Sequence, residues 1–105
     1  ELILPESLET IGFGSFIGCT GLSGTTIPSN VTSIGGECFK QGLKAQPVSM
    51  VINCPVSSWV GVSAFEDCVS GTYTITGAYY QDYITSNWSG DQLVPIGSTF
   101  ISGTY

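Results

Sequence analysis

Residues Leu4–Leu22 read LPESLETIGFGSFIGCTGL, and residues Ile27–Leu43 read IPSNVTSIGGECFKQGL. Leu4-Pro5, Ile11-Gly12, Phe16 and Cys19 of the first stretch return in the second as Ile27-Pro28, Ile34-Gly35, Phe39 and Gly42, each displaced by 23 residues. A third copy carries Cys54-Pro55, Val60-Gly61, Phe65 and Cys68. From Phe39 to Phe65 the step is 26. The Phe-to-Pro segment grows from 12 residues to 16 while the Pro-to-Ile/Val segment shrinks from six to five, and the added residues sit in the polar stretch Lys40–Pro47. A period of this length belongs to repeats that each supply one strand and one return segment.

Each column has a physical reading. Leu4, Ile27 and Cys54 stand just before a proline, which ends a strand ladder, so they are expected to close short strands. Ile11, Ile34 and Val60 are expected to point inward from the return segment. Gly12, Gly35 and Gly61 are expected to supply a φ > 0 corner. Phe16, Phe39 and Phe65 are expected to stack as an aromatic spine.

These strings resemble the BspA-like (Treponema-type) leucine-rich repeat, whose pattern is roughly LxxLxLPxxLxxIGxxAFxxCxxL. The resemblance is close over residues 2–43 and looser over 50–71. Cys54 replaces the aliphatic residue before Pro55, one residue is missing before Val60, Gly42 stands in a cysteine position, and Cys38 precedes Phe39 where a small residue is usual. The fold implied is a β-rich leucine-rich-repeat solenoid of short strands and turn or 3-10 return segments. It has about three coils in residues 1–71 (about 2–22, 23–45 and 50–71), followed by a C-terminal unit over 72–105.

That last unit breaks the pattern. Thr72–Thr76 alternates as a strand, with Tyr73 and Ile75 on one face. Ala78–Thr85 is rich in aromatics, and Asn87–Asp91 reads as a turn. Ile96-Gly97 and Phe100 fit a degenerate fourth repeat with one residue deleted; a cap that covers the last coil is the other reading.

Composition removes several functions. The chain of 105 residues carries two lysines, no arginine and eight acidic residues, a net charge of −6, and only 10% of its residues are charged. Two cations cannot neutralise a run of phosphates, which argues against nucleic acid and against an anionic membrane surface. There is no histidine, so histidine-based nucleophile systems and histidine metal ligands are absent. No apolar run approaches the ~18 residues of a membrane span. The opening Glu1–Pro5 has neither the basic nor the apolar region of a targeting peptide, and the chain reads as a fragment or mature region.

Four cysteines suggest a disulfide framework, but the repeat register opposes it. Cys19 and Cys68 share a column two coils apart, roughly 10 Å at strand spacing. All four are expected to be reduced and mostly buried, with no C-x-x-C and no metal site. Asn30-Val31-Thr32 and Asn87-Trp88-Ser89 match the glycosylation pattern, a cheap match in a Ser/Thr-rich chain. Glu66-Asp67, Asp82 and Asp91 are the carboxylates open to acid–base work; they lie at corners and turns, and no catalytic residue and no cofactor is assigned.

The resemblance implies a non-catalytic binding or adhesion module, secreted or displayed at a cell surface, as in bacterial surface proteins that contact host proteins or other cells. An extracellular or host protein is the expected partner. The residues before the strand-closing column, Ile3, Thr26 and Asn53, are expected to face outward, with Ser29 beyond the proline. A competing reading is carbohydrate recognition, with Trp59, Trp88, Tyr79, Tyr80 and Tyr83 as a stacking platform. A structural spacer is a third, and self-association through the ends of the solenoid is left open.

Overall fold

The computed structural model describes residues 2–103. Six strands form: β1 (Thr10–Ile11), β2 (Thr26–Ile27), β3 (Ser33–Ile34), β4 (Val48–Ile52), β5 (Gly71–Thr76) and β6 (Thr99–Gly103). A 3-10 turn covers Val56–Ser58, and two helices, α1 (Gly77–Thr85) and α2 (Trp88–Asp91), lie between β5 and β6. β2, β4, β5 and β6 make a four-stranded parallel sheet in sequence order, and β1 pairs in parallel with β3. Successive repeats therefore lie side by side, each adding one strand to the sheet.

The return segments are in step as well. Gly14, Phe16 and Gly18 donate their backbone N–H to the carbonyls of Gly36, Cys38 and Lys40, and Glu37, Phe39 and Gln41 donate to Val62, Ala64 and Glu66. This ladder carries the phenylalanines. The rings of Phe16 and Phe39 stack at 5.2 Å, and those of Phe39 and Phe65 at 5.6 Å with only 3° between their planes. The column holds Phe39 and Phe65 fully inside, with Ile27, Ile34, Leu43, Met50, Ile52 and Ile75 around them.

Two columns are filled differently from the sequence expectation. Cys54 does not end β4. That strand ends at Ile52, which pairs with Ile27, while Leu4 lies outside any strand. The in–out alternation of Val48, Met50 and Ile52 against Ser49 and Val51 fixes the register, because a slip of one residue would turn the whole apolar set to solvent. Counting back from Pro55 misses this by two residues. In the other column Trp59, not Val60, lies under Ile34. The N–H groups of Val60 and Gly61 both point to the Ile34 carbonyl, each at 3.2 Å. Two residues thus oppose one, as in a β-bulge. Val60 is thrown outward, 66% exposed, and the indole takes the core position.

The glycines of the Ile-Gly pairs also have another cause. Their φ angles are not positive. Gly35 and Gly61 are glycine because the neighbouring repeat's backbone passes over them. A Cβ on Gly35 would stand 2.5 Å from the Phe13 nitrogen, and one on Gly61 would stand 2.0 Å from the Gly36 nitrogen. The left-handed corners lie elsewhere, in two columns: Gly14, Glu37 and Ser63, then Gly18, Gln41 and Asp67. Only the first repeat uses glycine there, although a side chain in this region costs roughly 1–2 kcal/mol.

From β5 onward Tyr73 and Ile75 face inward as their alternation predicts. Asn87–Asp91, expected as a turn, contains the short helix α2. Phe100 joins the strand column beside Tyr73, at 5.5 Å, instead of extending the Phe column, and Ile96 is fully exposed.

A glycine scan separates these roles. Gly61→Ala and Gly35→Ala meet backbone and are expected to lose about 1–3 kcal/mol in denaturant unfolding. At Gly12 a Cβ would meet nothing closer than the Ser15 hydroxyl at 3.6 Å, so Gly12→Ala is expected within about 0.5 kcal/mol of wild type. An equal loss at all three would favour turn conformation over close approach.

Candidate functional site

The sheet's register builds its outer face. Thr26, Val51, Thr74 and Ile101 fall in one row across the four strands, and Ser49, Thr72 and Thr99 in a second. Strand spacing puts neighbours in a row roughly 4.8 Å apart. The two rows offer hydroxyls and methyls and no charge. Such a face can hydrogen-bond and exclude water but has no group suited to moving a proton.

Two clefts open at its β2 end. One, of about 500 Å³, is lined by Leu2, Gly24, Thr26, Pro47, Ser49 and Val51 among others. The other, of about 270 Å³, includes Ile3, Glu6, Thr26 and Pro28 in its lining. The structure thus brings Ile3, 77% exposed, and Thr26 to the same cleft. Ser29 is exposed beyond Pro28, outside both clefts.

Asn53 is not an outward residue: it is 2% exposed. It lies one position past β4, where its Oδ1 accepts a 2.6 Å hydrogen bond from the Thr76 hydroxyl. The residue that faces out beside Thr26 is Val51, a consequence of the two-residue shift in β4. Thr72 and Thr74 were implied by the alternation around Tyr73 and Ile75. Val51 and Ile101 gave no such signal, because an apolar residue on an outer face looks like core.

The proposed stacking platform is dismantled. Trp88 is 3% exposed and sits among Trp59, Tyr83, Phe65, Tyr73 and Phe100, with ring centroids 5.0–6.4 Å away. Trp59 and Tyr83 are buried too: the indole Nε1 of Trp59 donates to the Tyr83 hydroxyl at 2.9 Å, and that hydroxyl donates to the Cys54 carbonyl at 2.8 Å. These rings close the core beyond the Phe column. Tyr79 and Tyr80, on α1, are half-buried. Trp88→Ala is therefore expected to cost about 3–5 kcal/mol of unfolding free energy, seen in a denaturant titration before any ligand is added.

The cysteines are all free. Cys38 and Cys54 are buried and Cys68 is half-buried, but Cys19 is exposed, contrary to expectation. Cys38 donates to the Gly35 carbonyl at 2.8 Å, and Cys68 to the Phe39 carbonyl at 3.0 Å. Glu66, one of the candidate carboxylates, faces Lys40 at 3.7 Å, and Glu37 faces the same ammonium at 3.5 Å. Among the described residues no three Cys, Asp or Glu side chains are grouped to hold a metal. Among the described residues no helix is long and apolar enough to cross a membrane.

Burial raises the Cys38 thiol from 9.0 to about 11 and pushes the Cys54 thiol and the Tyr73 and Tyr83 phenols up as well. An acid held neutral in the folded state favours folding below its unfolded pKa and loses that contribution as pH rises through the folded one. Stability is thus expected to be level near neutrality and to fall above about pH 9, and Cys38→Ala should flatten part of the slope in an alkaline unfolding series.

No curated protein and no solved structure matches the chain. The family model described as a BspA type leucine rich repeat region, of six copies, matches residues 1–87. With its repeats laid in register and their phenylalanines stacked, the chain belongs to the BspA-type leucine-rich-repeat family.

Proposed function

We propose that the chain is a non-catalytic binding module of a secreted or cell-surface protein, and that it contacts an extracellular or host protein through the outer face of its sheet. The observation that carries this reading is the shared cleft of Ile3 and Thr26 at the end of an uncharged Ser/Thr face. Membership of a repeat family in which interaction and adhesion are common supports it. A low-charge face pays little desolvation on binding and suits a broad, flat contact.

The architecture that serves this function is a solenoid of about three coils in residues 1–71, with residues 72–105 as its closing unit. The column of Phe16, Phe39 and Phe65, which Phe100 does not extend, supports that reading. Within the binding face, Ile3, Thr26 and Ser29 are retained as contact residues, and Val51 and Thr74 join them.

The test is binding of the 105-residue chain to a panel of extracellular-matrix and host surface proteins, repeated with Thr26→Lys and Ile3→Asp. A ligand is expected that loses affinity by about tenfold or more with Thr26→Lys. Binding indifferent to both changes would move the site off this face, and silence across the panel would favour the spacer.

A further inference from the structure

We propose that the cleft between Trp59–Val62 and the helix α2 receives one lysine or arginine side chain of a protein partner, with Asp91 as its counter-charge.

The cleft arises where the regular ladder is interrupted. The Ile34 carbonyl accepts the backbone N–H groups of Val60 and Gly61 from the next repeat. One repeat later the Gly61 carbonyl takes the side-chain amide of Gln92 instead, at 2.9 Å, and the backbone ladder resumes at Ser63, whose N–H bonds to the Asp91 carbonyl. The space left ahead of that rung is about 190 Å³, with Trp59, Val60, Val62, Trp88 and Asp91 in its lining. Its walls are held in place. Gln92 Oε1 accepts from the Ala64 N–H at 3.2 Å, and the Ser86 hydroxyl accepts from the Trp88 N–H and donates to the Tyr83 carbonyl, each at 3.2 Å. A site formed before binding loses little to ordering. Described chain frames it on both sides, so further repeats at either end would stack beyond it and leave it open.

Size and chemistry select the occupant. The volume is below the roughly 300–1,000 Å³ of sites for small organic ligands and suits a single side chain. Val60 and Val62, 66% and 59% exposed, line it together with the nearly buried indoles of Trp59 and Trp88, so the stem of the occupant is apolar. Asp91 brings a carboxylate to the same cleft on an exposed residue, where its Oδ1 accepts from Asn87 Nδ2 at 3.0 Å. Neither lysine neutralises it among the described residues, since the ion pairs run from Lys40 to Glu37 and Glu66. An apolar stem with a cationic head is what lysine and arginine present. A chain with a net charge of −6 and no arginine draws a basic partner and repels an acidic one. The cleft shares no lining residue with the two at the β2 end, so this contact is additional to the one proposed for the sheet face.

A heteronuclear NMR titration of the 105-residue chain tests this, with capped tripeptides that carry lysine, arginine or norleucine between two glycines. It is read at the backbone amides of Val60 and Val62 and at the indole N–H signals of Trp59 and Trp88, the chain's two tryptophans. The lysine and arginine peptides are expected to shift these signals saturably and to bind about fivefold more tightly than the norleucine peptide, which has a comparable stem and no charge. Asp91→Asn keeps an acceptor for Asn87 and is expected to bring the cationic peptides down to the norleucine level, and added salt to do so in part. Val60→Ser, at an exposed position, should weaken all the peptides together, and it replaces Asp91→Asn if circular dichroism shows that variant unfolded. Thr26→Lys, which tests the sheet face, should leave the titration unchanged. Equal binding of the peptides overturns the proposal. So does a preference for the cations that survives Asp91→Asn, an absence of saturable shifts, or shifts confined to the outer face of the sheet.

Discussion

Neighbouring repeats must keep step along several backbone ladders at once, and the stacked rings of Phe16, Phe39 and Phe65 lie where that requirement is strictest. The N–H groups of Phe16 and Phe39 each bond to the next repeat, so their rings are delivered at a separation fixed by the main chain, 5.2 and 5.6 Å. Aromatic faces tolerate that spacing when offset. From this follow the bare glycines where backbones cross at Gly35 and Gly61, and the left-handed corners at fixed intervals on either side of each ring.

Stability is drawn from inside. Of the two ion pairs of Lys40, the one to Glu66 links adjacent repeats and the one to Glu37 stays within a repeat; both are partly exposed, and such pairs are worth at most ~1 kcal/mol. The cluster around Trp88 matters far more. Repeats stacked in one dimension leave an apolar surface at each end, and here the tail has covered one of them with α1, α2 and a group of tilted rings. Large, rigid side chains suit that task because they bury much area for few frozen torsions.

The repeat and its ring column were legible because a period is robust to local error. Ile27, Ile34 and all three phenylalanines stand where their spacing put them. What spacing did not reveal was the register of the third repeat. Cys54 and Val60 occupy motif positions, yet Ile52 and Trp59 fill the corresponding core positions, because strand pairing and in–out alternation outweigh distance from a proline. The mistaken outward reading of Asn53 followed directly from that shift. Trp88 was misjudged for a different reason: an amphipathic ring looks the same in a cap as on a binding surface, and only its neighbours decide. The outer row was half visible, since its threonines alternate cleanly while Val51 and Ile101 mimic core.

The bulge opposite Ile34 has a bearing on how such an array can vary. An extra residue between Trp59 and Phe65 is ejected sideways as Val60, and the ring column resumes in phase one step later. Mismatch is discharged where it arises and does not accumulate along the stack. One extra residue at that corner leaves the wall in register, and insertions or deletions there alter what protrudes from the surface without dephasing the interior.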